Sequence, residues 1–216
     1  MDSTFTWATK FKSIIIVDNE LFQNEYDVQL EIKPTTSNLK TQSAYFERLK
    51  LLFENVFHNT ITSYRSDPLY QILRKSTMNR FIELPKPPYD QVMASVCFCK
   101  ANAILGGKIH VKSLTLGSFQ GDGIKYKVDK NAKELTLLDV NEWFSEKYKK
   151  FDPWWLRPDT ATYDNEMSKG IYTGHFSWQE EKKVVDKKHE DHAKIFEFNP
   201  RVLDGGKNKN LSLIHI

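Results

Sequence analysis

The clearest pattern in the chain is the alternation in Tyr26–Lys33 (YDVQLEIK), with Tyr26, Val28, Leu30 and Ile32 on one side and polar residues between them. A period of two predicts a half-buried strand. Lys10–Val17 (KFKSIIIV) reads as its hairpin neighbour, joined through Asp18–Asn24, with Pro34 to Asn38 ending the pair. The period then lengthens. Across Thr41–Phe57, Tyr45, Phe46, Leu49, Leu52, Phe53 and Val56 recur at spacings of three and four, predicting a helix with one buried stripe. VFHNTITSYR, residues 56–65, reads as the next strand. A short helix from Pro68 to Lys75 follows, with proline suited to its first turn.

Arg80–Leu84 is a short strand closed by PKPP, and Tyr89–Leu105 is a core helix, apolar on most of its surface and stopped by Gly106-Gly107. Lys108–Phe119 and Ile124–Asp129 form a hairpin across Gln120–Gly123, and Glu134–Leu138 supplies a further strand. Within the first of these strands, apolar parity slips from Ile109 and Val111 to Leu114 and Leu116. One extra residue near Lys112-Ser113 accounts for the slip, which predicts a β-bulge.

Hairpins interleaved irregularly with helices predict an α+β fold: a mostly antiparallel sheet with two main helices on one face. Beyond about residue 150 the texture changes. FDPWWLRPDTATYD is irregular, and QEEKKVVDKKHEDHAK mixes both charge signs around few apolar residues. The expected organisation is a core domain over 1–150 and an irregular aromatic-rich and charged appendage over 151–210. The closing LSLIHI, residues 211–216, reads as translated sequencing adapter, so His215 carries no argument.

Composition narrows the setting. A 40% hydrophobic content in 216 residues suffices for a core without metal or disulfide support. Cys97 and Cys99 point about 200° apart on a helix and read as buried thiols of an intracellular protein. MDSTFTWATKFK lacks the apolar core of a signal peptide, and no stretch reaches the ~20 apolar residues of a membrane span. The expected location is cytoplasmic, the host cytoplasm if the chain is viral. A net charge of +3 permits an anionic partner without requiring one. Usage rich in Lys, Asn, Ile, Phe and Tyr suggests an AT-rich microbial or viral genome.

Three clusters offer chemistry. His58 and Thr60, two apart on a strand, share a face, where an imidazole can move a proton while a hydroxyl holds a phosphate oxygen. FHNTITSYR resembles the first motif of the two-histidine phosphoesterases, in which each of two lobes donates a His-x-Thr/Ser from a strand. That resemblance implies a second pair: His110 with Ser113, brought onto one face by the bulge, or His175 with Ser177. The plainer account makes His58, Thr60, Thr62 and Tyr64 an exposed strand face opposite Phe57 and Ile61. Trp143, Trp154, Trp155 and Trp178 are interleaved with Arg157 and several lysines. Such a segment can stack on bases, form a protein contact or close one end of the core. His189 and His192 stand one turn apart, but the charged run around them reads as a solvated helix face. Asp122 in SFQGDG reads as a hairpin turn.

No metal or cofactor is expected. The sequence leads to a non-catalytic binding or interaction protein of a bacterial virus. It would sequester a host protein or a nucleotide-type ligand, or serve virion assembly, through Tyr64, Trp143, Trp154, Trp155, Arg157 and Trp178. The alternatives are a metal-independent phosphodiesterase and a binder of single-stranded nucleic acid.

Overall fold

A computed structural model of the chain describes residues 4–76, 80–138, 152–167 and 170–173. The alternating segments pair as one long antiparallel hairpin, β1 (Phe5–Val17) and β2 (Glu20–Pro34). Only Asp18 and Asn19 connect them, both at positive φ (52° and 64°). This is the left-handed geometry of a tight two-residue turn, matching the twist of the flanking strands. The longer connection expected over Asp18–Asn24 is therefore replaced by strand almost to the tip. Asp and Asn tolerate the left-handed region because their short polar side chains bond locally.

The helical stripe forms α1 (Leu39–Leu51), started by Asn38, whose Oδ1 accepts from the Thr41 N–H at 3.1 Å. Its last turn loosens into a π-helical turn over Leu52–Val56. Strand β3 (Thr60–Tyr64) consequently begins at Thr60, later than the pattern predicts, leaving His58 and Asn59 in the preceding turn. α2 (Pro68–Ser76) crosses over to β4 (Phe81–Leu84), so β3 and β4 run parallel to each other and to β1. α3 (Asp90–Leu105) ends at Gly106 and Gly107, both at positive φ. β5 (Ile109–Ser118) and β6 (Lys125–Asp129) complete a six-stranded mixed sheet of order β4-β3-β1-β2-β5-β6. A small hairpin, β7 (Asp164–Met167) with β8 (Gly170–Thr173), stands apart from it. The fold is α+β.

The bulge lies where parity slips. Glu31 pairs with Ser113 and Ile32 with Val111, so Lys112 is the extra residue. The expected strand over Glu134–Leu138 is instead part of a 3-10 helix, Lys133–Leu138, whose Leu138 alone is fully buried.

α1 and α3 cover one face of the sheet. There Phe11, Tyr26, Leu30 and Ile32 meet Leu49, Phe53, Met93 and Ala101, with Phe11 stacked on Tyr26 at 4.8 Å. α2 lies on the opposite face at the β3–β4 end, where Tyr70 and Phe81 join Ile16 and Ile61 in a second small core. Among the described residues nothing covers the rest of that second face, across β1, β2, β5 and β6.

Candidate functional site

Thr60 is only 2% exposed, and its hydroxyl donates to the Phe57 carbonyl at 2.8 Å. Ser13 on β1 completes the arrangement, with its Oγ 3.0 Å from the Thr60 carbonyl and 2.7 Å from the Thr62 hydroxyl. Buried hydroxyls need such partners, so Thr60 and Thr62 seal the β1–β3 seam. They do not form the exposed face that alternation suggests, because both faces of β3 are buried, with Ile61 packed in the small core that holds Tyr70 of α2.

His58 is half-buried, and its Nδ1 accepts the Lys12 backbone N–H at 3.4 Å. The bulge does bring Ser113 to the face of His110: their partners Glu31 and Lys33 are two apart on β2. Ser113 Oγ donates to Glu31 Oε2 at 3.1 Å. The two halves are nevertheless remote. His58 sits at the level of Lys12, while His110 pairs with Lys33, one position beyond the Phe5–Ile32 pair. Eight residues of strand separate these levels, about 26 Å at 3.3 Å per residue. His58 with Thr60 and His110 with Ser113 therefore do not assemble one site. Trp143, His175, Ser177, Trp178 and the His189/His192 pair lie outside the described residues.

The described part of the aromatic segment is core. Trp154 and Trp155 are 0% and 1% exposed, with Trp154 edge-on to Phe57 at 6.4 Å. Each large ring buried from water is worth about 4–6 kcal/mol by area. That draws residues 152–164 onto the body, past the boundary expected near residue 150. Neither indole offers a recognition surface, and Tyr64 is half-buried at the end of β3.

A buried polar network accompanies the indoles. Lys100, fully buried on α3, donates to the carbonyls of Trp154 (2.8 Å) and Arg157 (2.9 Å) and to Asp159 Oδ1 (3.3 Å). Burial pushes its ammonium down to about 8, with Asp159 opposing. Arg157 pairs with Asp159 and with Asp164, whose Oδ2 accepts the Trp154 N–H. Asp164 N–H in turn donates to Glu83 Oε2, and Arg74 and Arg65 reach Glu83 Oε1 at 3.2 and 3.7 Å. Burial, outweighing both arginines, pushes Glu83 up to about 7. Arg157 thus clasps the 152–164 segment internally. The sequence held one signal of this: Lys100 is the single charge within VMASVCFCKANAIL.

The accessible chemistry lies on the open sheet face. A concavity of about 580 Å³ is lined by Lys12, Ile14, Gln23, Asn59, Ile61 and Phe119, among others. Ile14 is 38% and Phe119 77% exposed, so both present carbon surface to solvent. Asn59 is held at positive φ (56°), its N–H donating to the Lys12 carbonyl at 2.8 Å. A second hollow of about 320 Å³ continues along the same face past Ala8, Lys10, Asp27, Gln29, Thr115 and Lys125. The β1 lysines are neutralised on this face: Lys10 lies 2.9 Å from Asp27 and 3.4 Å from Glu25, and Lys12 3.7 Å from Glu25. Among the described residues no cluster of three or more His, Cys, Asp or Glu has metal-binding geometry, and no helix is long and apolar enough to cross a membrane.

Fold and surface together define an α+β protein with one covered sheet face and one partly open face bearing a mixed apolar and amide-lined hollow. No family model matches the chain, and no curated protein matches it. Among solved structures it is similar to an uncharacterized protein, WS1659, from Wolinella succinogenes, at 11% identity and a TM-score of 0.43, covering 60% of this chain and 99% of that one.

Proposed function

We propose that this protein is a non-catalytic binding module that holds a nucleotide-type ligand in the hollow on its open sheet face. The observation behind this reading is the lining. Phe119 offers an exposed ring for stacking, Gln23 and Asn59 offer amides that can both donate and accept, and Ile14 and Ile61 form an apolar floor. A volume of about 580 Å³ suits a drug-sized ligand. The turnover reading through His58 and His110 has against it their separation along the sheet and the internal use of the Thr60 hydroxyl. Phosphate tracking along this face has against it the pairing of Lys10 and Lys12 with carboxylates.

Sequestration in a virus-infected bacterium is one role that fits a module that binds without turnover. A protein partner is the second reading, favoured by Leu21 and Phe22, 53% and 37% exposed at the hairpin tip.

Thermal melts of the full chain against mononucleotides and cyclic dinucleotides test the proposal. A ligand at 100 times its Kd stabilises by about 2.7 kcal/mol, a rise of roughly 5–10 °C for a chain this size. Ile14→Arg and Phe119→Ser should abolish the rise without lowering the unliganded midpoint by more than a few degrees. Silence across the panel, a rise that survives both substitutions, or conversion of the ligand would each refute it.

A further inference from the structure

We propose that the free edge of β1, from Thr6 to Lys10, joins a second copy of this chain in antiparallel register about Ala8. The inference is independent of the nucleotide reading, since it rests on backbone groups remote from the hollow's amide and aromatic lining.

The direction of the backbone groups is fixed by Lys12. Its N–H donates to His58 Nδ1 and its carbonyl accepts from the Asn59 N–H. Even-numbered residues of β1 therefore turn their N–H and C=O away from β2, toward the β3 side. Strand β3 pairs only with Ser13–Ile16. Beside Thr6, Ala8 and Lys10 no strand lies among the described residues, and all three side chains are exposed. A row of unpaired backbone groups is a template for strand addition.

The nominal ends of the sheet are treated differently. At β4 the Glu83 N–H is already taken by the Thr162 carbonyl at 2.9 Å. β6 is five residues long and carries Lys125 and Lys127 on its open face. Short length, lysine and covering segments all discourage edge pairing. Among the described residues nothing covers the β1 edge and it carries no proline, and its one cation, Lys10, is neutralised within its own sheet by Asp27 and Glu25.

Register follows from charge and space. Centred on Ala8, the pairing sets alanine against alanine, Thr6 against Lys10 of the other copy, Trp7 against Thr9 and Phe5 against Phe11. No like charges meet, aromatic residues face a β-branched or aromatic partner, and about six backbone hydrogen bonds form across the twofold axis. Centring on Lys10 would oppose two lysines and would carry the second strand onto Lys12, whose edge His58 and Asn59 already occupy.

Sedimentation equilibrium of the full chain, over about 1 to 100 µM, reads a micromolar Kd as a rising mean mass. The wild type should approach the dimer mass. Ala8→Pro removes an N–H that bonds no described residue, so far-UV circular dichroism should be preserved while association is lost. Ala8→Lys and Ala8→Glu, whose cross-strand partner on β2 is the neutral Gln29, should each weaken association by setting like charges face to face on the twofold axis, and an equimolar mixture of the two should restore it, the gain shrinking as salt rises. A wild type that stays monomeric at the highest concentration overturns the proposal. So does a dimer that fails to weaken with Ala8→Lys and Ala8→Glu or to be restored by mixing them, a comparison that decides the matter even if Ala8→Pro does not fold.

Discussion

Neutralising Glu83 should remove a pH dependence of stability that burial builds into this fold. The carboxyl is fully buried on β4, faced by Arg74 and Arg65, by the Asp164 N–H, and through Asp164 by Arg157. Burial pushes it from an ordinary 4.5 to about 7, the two arginines only partly opposing. Between these values the folded protein holds a proton that the unfolded chain has released. The stabilisation is therefore complete below about 4.5, declines as pH rises, and is gone once pH passes about 7. At 1.36 kcal/mol per pH unit, the interval corresponds to about 3 kcal/mol. Urea unfolding followed by tryptophan fluorescence at pH 5 and pH 8, for the wild type and Glu83→Gln, measures it. The variant keeps all six histidines, so the difference between the two proteins isolates Glu83. Relative to Glu83→Gln, the wild type should lose about 2–3 kcal/mol between the two pH values. A difference that is flat, or that grows in the wild type's favour at pH 8, refutes the argument that burial outweighs the arginines.

Lys100→Met should destabilise the protein by about 2–4 kcal/mol at pH 7, because two buried carbonyls and Asp159 each lose a charged donor. Limited proteolysis should then cut within 152–164 before the rest of the chain. At the hairpin tip, Asn19→Ala should lower stability in urea by about 1 kcal/mol, because alanine at φ 64° keeps the Cβ crowding and loses the local side-chain bond that lets asparagine tolerate it. Asn19→Gly should stay within a few tenths of a kcal/mol of the wild type.

The sheet was legible wherever one face is buried and the other wet. Tyr26 to Ile32 announces β2 because α1 and α3 cover only one side of it, and the parity slip at Lys112 announces the bulge for the same reason. Legibility failed where that asymmetry fails. β3 is buried on both faces, so Thr60, Ile61, Thr62 and Ser63 are all out of water, and polar letters masqueraded as an exposed face. Hydroxyls can be buried at little cost when, like Ser13, Thr60 and Thr62, they satisfy one another. No pattern of polarity distinguishes that from exposure.

The same reasoning explains why the aromatic segment misled. Proline and paired tryptophans with few aliphatics look like a surface arm, because no helix or strand period organises them. Trp154 is nonetheless core, since its one polar atom finds a partner: Nε1 donates to the Glu83 carbonyl at 2.8 Å. That bond spans 71 residues, the ties from Lys100 span 54 to 59 and that from Thr162 spans 81, and pairings at such range leave no local trace in the chain. The hollow was invisible for the opposite reason. Its lining comes from single outward-facing positions on β1, β2 and β3 together with a 3-10 turn, each unremarkable in its own segment. Only the sheet order, with β3 beside β1 and the Phe119 turn beside β2, brings Asn59, Ile14, Gln23 and Phe119 to one place.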